Sequence, residues 1–293
     1  MTQAQDIRNT MMLVSLNVRQ WTANKLDKVA TDELLKEKDA EAGAARVRKT
    51  ILPKSALADI NRWVGEARHT HSNNTLPWSD RGYRVLPVGN YLEYHHKMDT
   101  IKEGFDKAVE KFLTLYDDIL TNPVKFALLQ ERLGGLYNAQ EYPSAAEVAG
   151  KFHFSTHVMP IAQGQDFRCD LSNAEIQRIQ ADIDERVVAA TQEAYKATFE
   201  RLYEAVTHMA TTLTKKNDNS KAPVHESLVP NMQELLDVLD RMAVGHDPEL
   251  ANMVNKARFL TRFPSDVLKE QSTVRNETIK AANDIKEKLT ALI

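Results

Sequence analysis

The chain contains one cysteine, Cys169, among 293 residues. A single thiol excludes an intramolecular disulfide and any multi-cysteine metal site, and it fits a reducing compartment. Glycine and proline are few, ten of each, which leaves long stretches free to be helical. No apolar run approaches the roughly 20 residues that span a bilayer. The first residues, Met1-Thr2-Gln3-Ala4-Gln5-Asp6, lack the charged and apolar regions of a secretory signal. Charge of one sign is also missing: the formal net charge is −3, too weak a field to recruit nucleic acid or an anionic membrane globally. The expectation is a soluble, cytoplasmic protein with no membrane partner.

What remains is ordinary for a globular protein. Apolar residues make up 42% and charged residues 27%, enough to build one large or two smaller cores. From Leu13 to Trp21, Val14, Leu16 and Val18 alternate with Ser15, Asn17 and Arg19, which predicts a half-buried strand. Residues 152 to 161 predict a second, with Phe152, Phe154, Thr156 and Val158 on one face. Residues 27 to 39 are helical in propensity, and Ser55 reads as the cap of a helix burying Leu57, Ile60 and Val64.

Three longer apolar seams follow. Met98, Ile101, Phe105, Ala108, Phe112, Leu115 and Ile119 recur at spacings of three and four, ending before Asn122-Pro123. A short helix then runs to Leu133 with Gly134 or Gly135 as its C-cap, and Ser144 caps another. Ser172 opens a very long helix whose seam passes from Ile176, Ile179 and Ile183 to Val188, Tyr195, Phe199, Leu202, Val206, Met209 and Leu213. That shift reads as a stutter. A polar stretch from Lys215 to Pro230 reads as a linker. Beyond it, Met232 to Met242 and a segment from Pro248 predict helices, and Val267 to Leu292 predicts a final one.

Seams of this length cannot stay wet, so the expected fold is mainly α: a long antiparallel helical bundle or coiled-coil arm with a small β-containing head. Residues 1–89 and 122–171 form the head, 90–121 and 172–216 the arm, 217–230 a linker, and 231–293 C-terminal helices packing on the arm. The 98–119 and 176–213 seams are expected to pair lengthwise, and a residual apolar strip predicts a homo-oligomer.

No catalytic, cofactor or metal site is expected. His69 with His71, His95 with His96, and His153 with His157 lack metal-ligand spacing or a carboxylate partner. Gly150-Lys151 is not a phosphate loop, because Ala145 and Phe152 replace the required glycine and hydroxyl. Ser79 lacks the nucleophile-elbow context, and Asp166-Phe167-Arg168 lacks the glycine of the kinase signature. The acidic trio Asp182, Asp184 and Glu185 reads as a solvated helix face.

One segment stands out, Leu76-Pro77-Trp78-Ser79-Asp80-Arg81-Gly82-Tyr83-Arg84. Its prolines and glycine forbid a continuous helix, yet it carries two large aromatics. Trp78, Asp80, Arg81, Tyr83 and Arg84 are the candidate partner-binding residues, suited to an acidic peptide, a phosphate or a base. The alternative is a structural turn with Trp78 in the core. Arg46, Arg48 and Lys49 are candidates for a basic patch.

At these residues the sequence resembles an uncharacterised domain-of-unknown-function family of bacteriophages, plasmids and integrative elements. The resemblance rests on Arg19-Gln20-Trp21-Thr22, Ala44-Ala45-Arg46-Val47-Arg48-Lys49, the Leu76 to Gly82 segment, Tyr142-Pro143 and Asp166-Phe167-Arg168. It runs to about residue 215 and is weaker beyond. Members are often encoded near a MoxR-like AAA+ ATPase and a von Willebrand factor A-type protein, so the resemblance implies a protein partner, with that ATPase as the candidate. The expected function is a non-enzymatic interaction or adaptor protein of a phage or mobile element. The alternative is a nucleic-acid-binding or recombination accessory protein using Arg46, Arg48, Lys49, Arg81 and Arg84.

Overall fold

A computed structural model describes residues 3–78, 82–166, 172–219, 221–241 and 248–293. It is mainly helical, with a small antiparallel sheet. The chain divides into two compact units. Met1–Ser15, His71–His95 and His157–Ile293 form the first; Leu16–Thr70 and His96–Thr156 form the second.

The spine of the first unit is α7 (Asn173–Asp218), opened by Ser172, whose hydroxyl accepts a hydrogen bond from the Glu175 amide. Its buried stripe runs through Val187, Ala190, Ala194, Phe199, Leu202, Val206, Met209 and Leu213. Val188, expected inward, is 43% exposed. Val187, Ala190 and Ala194 hold the helical spacing instead, and two alanines are easily overlooked as core residues. Helix α11 (Ser272–Thr290) packs along α7 and buries Thr278, Ala282, Ile285 and Leu289.

Helices α8 (Leu228–Arg241), α9 (Pro248–Arg258) and α10 (Ser265–Glu270) join the same core through Leu236, Leu239, Leu250, Val254 and Leu268. The single final helix expected from the sequence is broken at Gln271, whose ψ of 104° is extended backbone. The expected linker is shorter than read: α7 runs to Asp218, and Val224, Leu228 and Val229 are buried in the core.

The sheet has the order β4-β5-β1-β6. Strand β1 (Met11–Arg19) pairs antiparallel with β5 (Tyr83–Pro87), from Met11↔Pro87 to Ser15↔Tyr83, and β4 (Leu76–Pro77) lies on the far side of β5. Leu13 and Val14 are both buried, so the first half of β1 is covered on two faces, not one. The fourth strand is β6 (His153–Met159).

The second unit holds most of α4 (Tyr91–Thr121), which buries Met98, Ile101, Phe105, Ala108 and Phe112 as expected. The seam then turns: Tyr116 is fully buried, while Leu115 is 42% exposed. Four residues on from Phe112 keeps the stripe on one face of a straight helix, and Tyr116 is fixed there by Trp21, edge-on at 5.4 Å. Its phenol donates to the Pro143 carbonyl at 2.7 Å. Phe105 and Phe112 meet Phe154 and Phe152. Gly104 lies under Trp63, where a Cβ would come within 2.4 Å of the indole. Within the second unit, the Phe105 and Phe112 part of the seam is thus covered by Trp21, Phe152 and Phe154.

Around this core stand β2 (Asn24–Asp27), α2 (Lys28–Glu37), β3 (Val47–Thr50), α3 (Ala58–Asn74), α5 (Pro123–Leu133) and α6 (Ala145–Ala149). Asn122 caps α5 by accepting from the Val124 and Lys125 amides, with Pro123 at the first helical position. Gly134 ends it with φ +50°, a conformation that favours glycine. Ser144 and Glu147 form a reciprocal capping box on α6. The last residues of α3, from His71, belong to the first unit.

Candidate functional site

The Trp78–Arg84 segment is built into the first unit. Trp78 and Tyr83 are half-buried against its hydrophobic core. Ser79, Asp80 and Arg81 lie outside the described residues. Arg84, on β5, points back at the end of α3. Its Nε donates to Thr75 Oγ1 at 2.6 Å and its Nη2 to the Thr75 carbonyl at 3.0 Å. Arg201, from the middle of α7, donates to the same carbonyl at 3.1 Å and to Asn73 O at 2.8 Å. Helix C-termini leave carbonyls unpaired and carry partial negative charge, so two guanidiniums there satisfy both needs without any carboxylate.

His71 and Tyr94 complete this cluster, with Nδ1 2.7 Å from the phenol oxygen. Both are buried. Burial, and then the charge of Arg84, pushes the His71 imidazole down to about 4. Burial raises the Tyr94 phenol. Burial and the neighbouring Arg84 bring Arg201 down to about 10. Two half-buried cations and a buried imidazole, gathered around carbonyl acceptors, make a clamp on the end of α3. Arg275 repeats the device at the end of α10, donating to the Leu268 and Lys269 carbonyls. Among the described residues no group of histidine, cysteine or carboxylate side chains is placed to hold a metal.

The three basic-patch residues separate. Arg46 and Arg48 are exposed. Lys49 is buried: its Nζ lies 2.7 Å from Asp27 Oδ2 and 2.9 Å from Glu141 Oε2, and donates to the Leu136 carbonyl at 2.6 Å. Strand alternation explains the split, because Lys49 faces inward between two outward neighbours. Burial disfavours the Lys49 charge, but the hydrogen bonds it donates to Asp27 and Glu141 outweigh it, and its pKa is raised. The same contact with Lys49, then the Ala30 amide, holds the Asp27 carboxyl below its usual range. Lys49 is a structural ion-pair centre and unavailable to a surface ligand.

Two further features were not legible as sites. An open polar cleft of about 220 Å³ in the first unit is lined by Arg8, Asn9, Gln163, Gly164, Gln165 and Asp184. Arg8 bonds Asp184 at 2.6 Å, and the Gly164 amide donates to the same carboxylate at 3.2 Å. The cleft's charged groups therefore satisfy each other. In the second unit, α5 is apolar on opposite faces. Phe126, Leu129 and Leu133 turn inward, while Val124 and Leu128 are 71% and 61% exposed. The spacing of 124, 127 and 128 was visible in the sequence; which face would be covered was not.

A family model, described as a protein of unknown function (DUF3150), matches residues 8–255. No curated protein and no solved structure matches the chain.

Proposed function

We propose that this chain, which belongs to the DUF3150 family of proteins of unknown function, acts by binding another protein, with the outer face of α5 as a contact surface. The observation that carries the reading is the exposure of Val124 and Leu128, one helical turn apart, on a helix whose opposite face already fills the core. A helix apolar all round belongs inside a protein, and here one side is left open. Ala127 lies beside them, exposed and small enough to let a partner backbone approach. Residues opposite one another on a straight helix cannot serve one core, so the outer pair serves a second surface.

The resemblance to mobile-element proteins makes a MoxR-like AAA+ ATPase the first partner to try, in an adaptor role. No helix among the described residues is long and apolar enough to cross a membrane. The test compares wild type with Leu128→Glu in co-purification with that ATPase and with proteins of the host lysate. Leu128 is outside the core, so the variant is expected to melt with the wild type and to lose the captured partner. Equal capture by both proteins would sink the reading. Self-association through the same face is read first, by light scattering on the purified wild type.

A further inference from the structure

We propose that the exposed face of the two-stranded β2–β3 sheet binds the phosphodiester backbone of a nucleic-acid strand. The register places Leu26 opposite Arg48 and Lys25 opposite Lys49. Strand alternation then sends Arg48 and Leu26 outward, and Lys49 and Asp27 inward, as their burial shows. Arg46, just before the start of β3, is exposed two residues ahead of Arg48. Two residues after Arg48, the Arg132 guanidinium of α5 donates to the Thr50 carbonyl. Arg46, Arg48 and Arg132 thus bring three guanidiniums to β3 and its start, Arg132 through the Thr50 carbonyl.

Their charge is not cancelled locally. Arg178, Arg186, Arg241 and Arg258 are each held by a carboxylate. Arg46, Arg48 and Arg132 have no such partner among the described residues. The inward Lys49 is already neutralised by Asp27 and Glu141, so it adds nothing outside. Guanidinium forks bind phosphate oxygens bidentately, so several on one segment suit a polymer that carries a phosphate at every step better than a single acidic side chain. Leu26, 46% exposed beside Arg48, offers apolar contact to a sugar or base. These are backbone contacts, so binding is independent of sequence.

The test is fluorescence anisotropy of a labelled oligothymidylate with the full chain, across a salt series. Three phosphate contacts predict a log–log salt slope near −2, at about 0.7 per phosphate on a single strand. A duplex of the same length, where the slope is about 0.9 per phosphate, is the second probe, and tighter binding of the single strand at equal salt is expected. Arg46→Ala/Arg48→Ala is expected to melt as wild type and to reduce the single-strand slope by about 1.4. Arg48→Lys, which keeps the charge, retains the slope, and Lys107→Ala on α4 changes nothing. No anisotropy change at low salt, or an unchanged slope in the double variant, would overturn the proposal. Displacement of the oligonucleotide by polyglutamate at equal charge concentration would overturn it too, in favour of an acidic protein ligand.

Discussion

The two units handle buried positive charge in opposite ways. In the first, Arg84, Arg201 and Arg275 are placed on the carbonyls that end α3 and α10. In the second, Lys49 sits between the carboxylates of Asp27 and Glu141. Arginine suits the first arrangement because its planar fork spans several carbonyls and its charge persists when buried. A lysine needs counter-charges, since an ammonium is strongly hydrated and loses more on burial. The comparison teaches that an inward-facing basic residue here either closes a helix end or joins an acidic pair. Only the remainder face outward for a ligand.

The largest effect is expected in the second unit. Lys49→Ala leaves Asp27 and Glu141 partly buried and unpaired, which costs about 3–5 kcal/mol. Urea denaturation measures it, and a loss below about 1 kcal/mol would show that the three groups are independently hydrated.

The pH response should come next and should separate the units. His71 has a folded pKa of about 4 against an ordinary 6.5, so the unfolded chain binds the extra proton. Its contribution is complete above pH 6.5 and is lost as pH falls toward 4, by roughly 3 kcal/mol. His71→Gln is expected to flatten that slope. Asp27, with a lowered pKa, contributes fully above the ordinary carboxylate range and fails only at more acidic pH. Lys49, with a raised one, keeps its contribution up to the ordinary lysine value and loses it in stronger base. Hydrogen exchange along the chain reads the two windows, and coincident loss of protection in both units would break the comparison.

Smaller effects sharpen it. Arg84→Ala and Arg201→Ala should each cost about 1–3 kcal/mol by leaving buried carbonyls unpaired. Because both bond Thr75 O, the double variant should cost less than the sum, whereas additive losses in a double-mutant cycle would deny the shared acceptor. Ser144→Ala removes one half of the α6 capping box and should cost about 1 kcal/mol by thermal melting.

Much of the helical content was legible because period and caps agreed. Asn122-Pro123, Gly134, Ser144 and Ser172 mark boundaries through local backbone chemistry that needs no partner. The failures came where tertiary packing chose between adjacent residues. Tyr116 displaced Leu115 because Trp21 lies across the helix, and Val187 displaced Val188 because small alanines continued its stripe. Arg84 was visible as unusual, but its partners, the hydroxyl and backbone carbonyl of Thr75, belong to a helix end that no sequence motif displays. Lys49 lay in a run of basic residues, and only its register opposite Lys25 turns it inward. The outer face of α5 could be written down from its spacing, yet Phe126, Leu129 and Leu133 were equally good candidates for exposure.

The most direct measurement pairs one residue from each region in the same two assays, partner capture and thermal melting. Leu128→Glu is predicted to melt with the wild type and to lose the captured protein. Arg84→Ala is predicted to melt lower and, at a temperature where it is folded, to retain it. A Leu128 variant that keeps its partner beside an Arg84 variant that loses it while fully stable would contradict the account, and would return the contact surface to the Trp78–Arg84 segment.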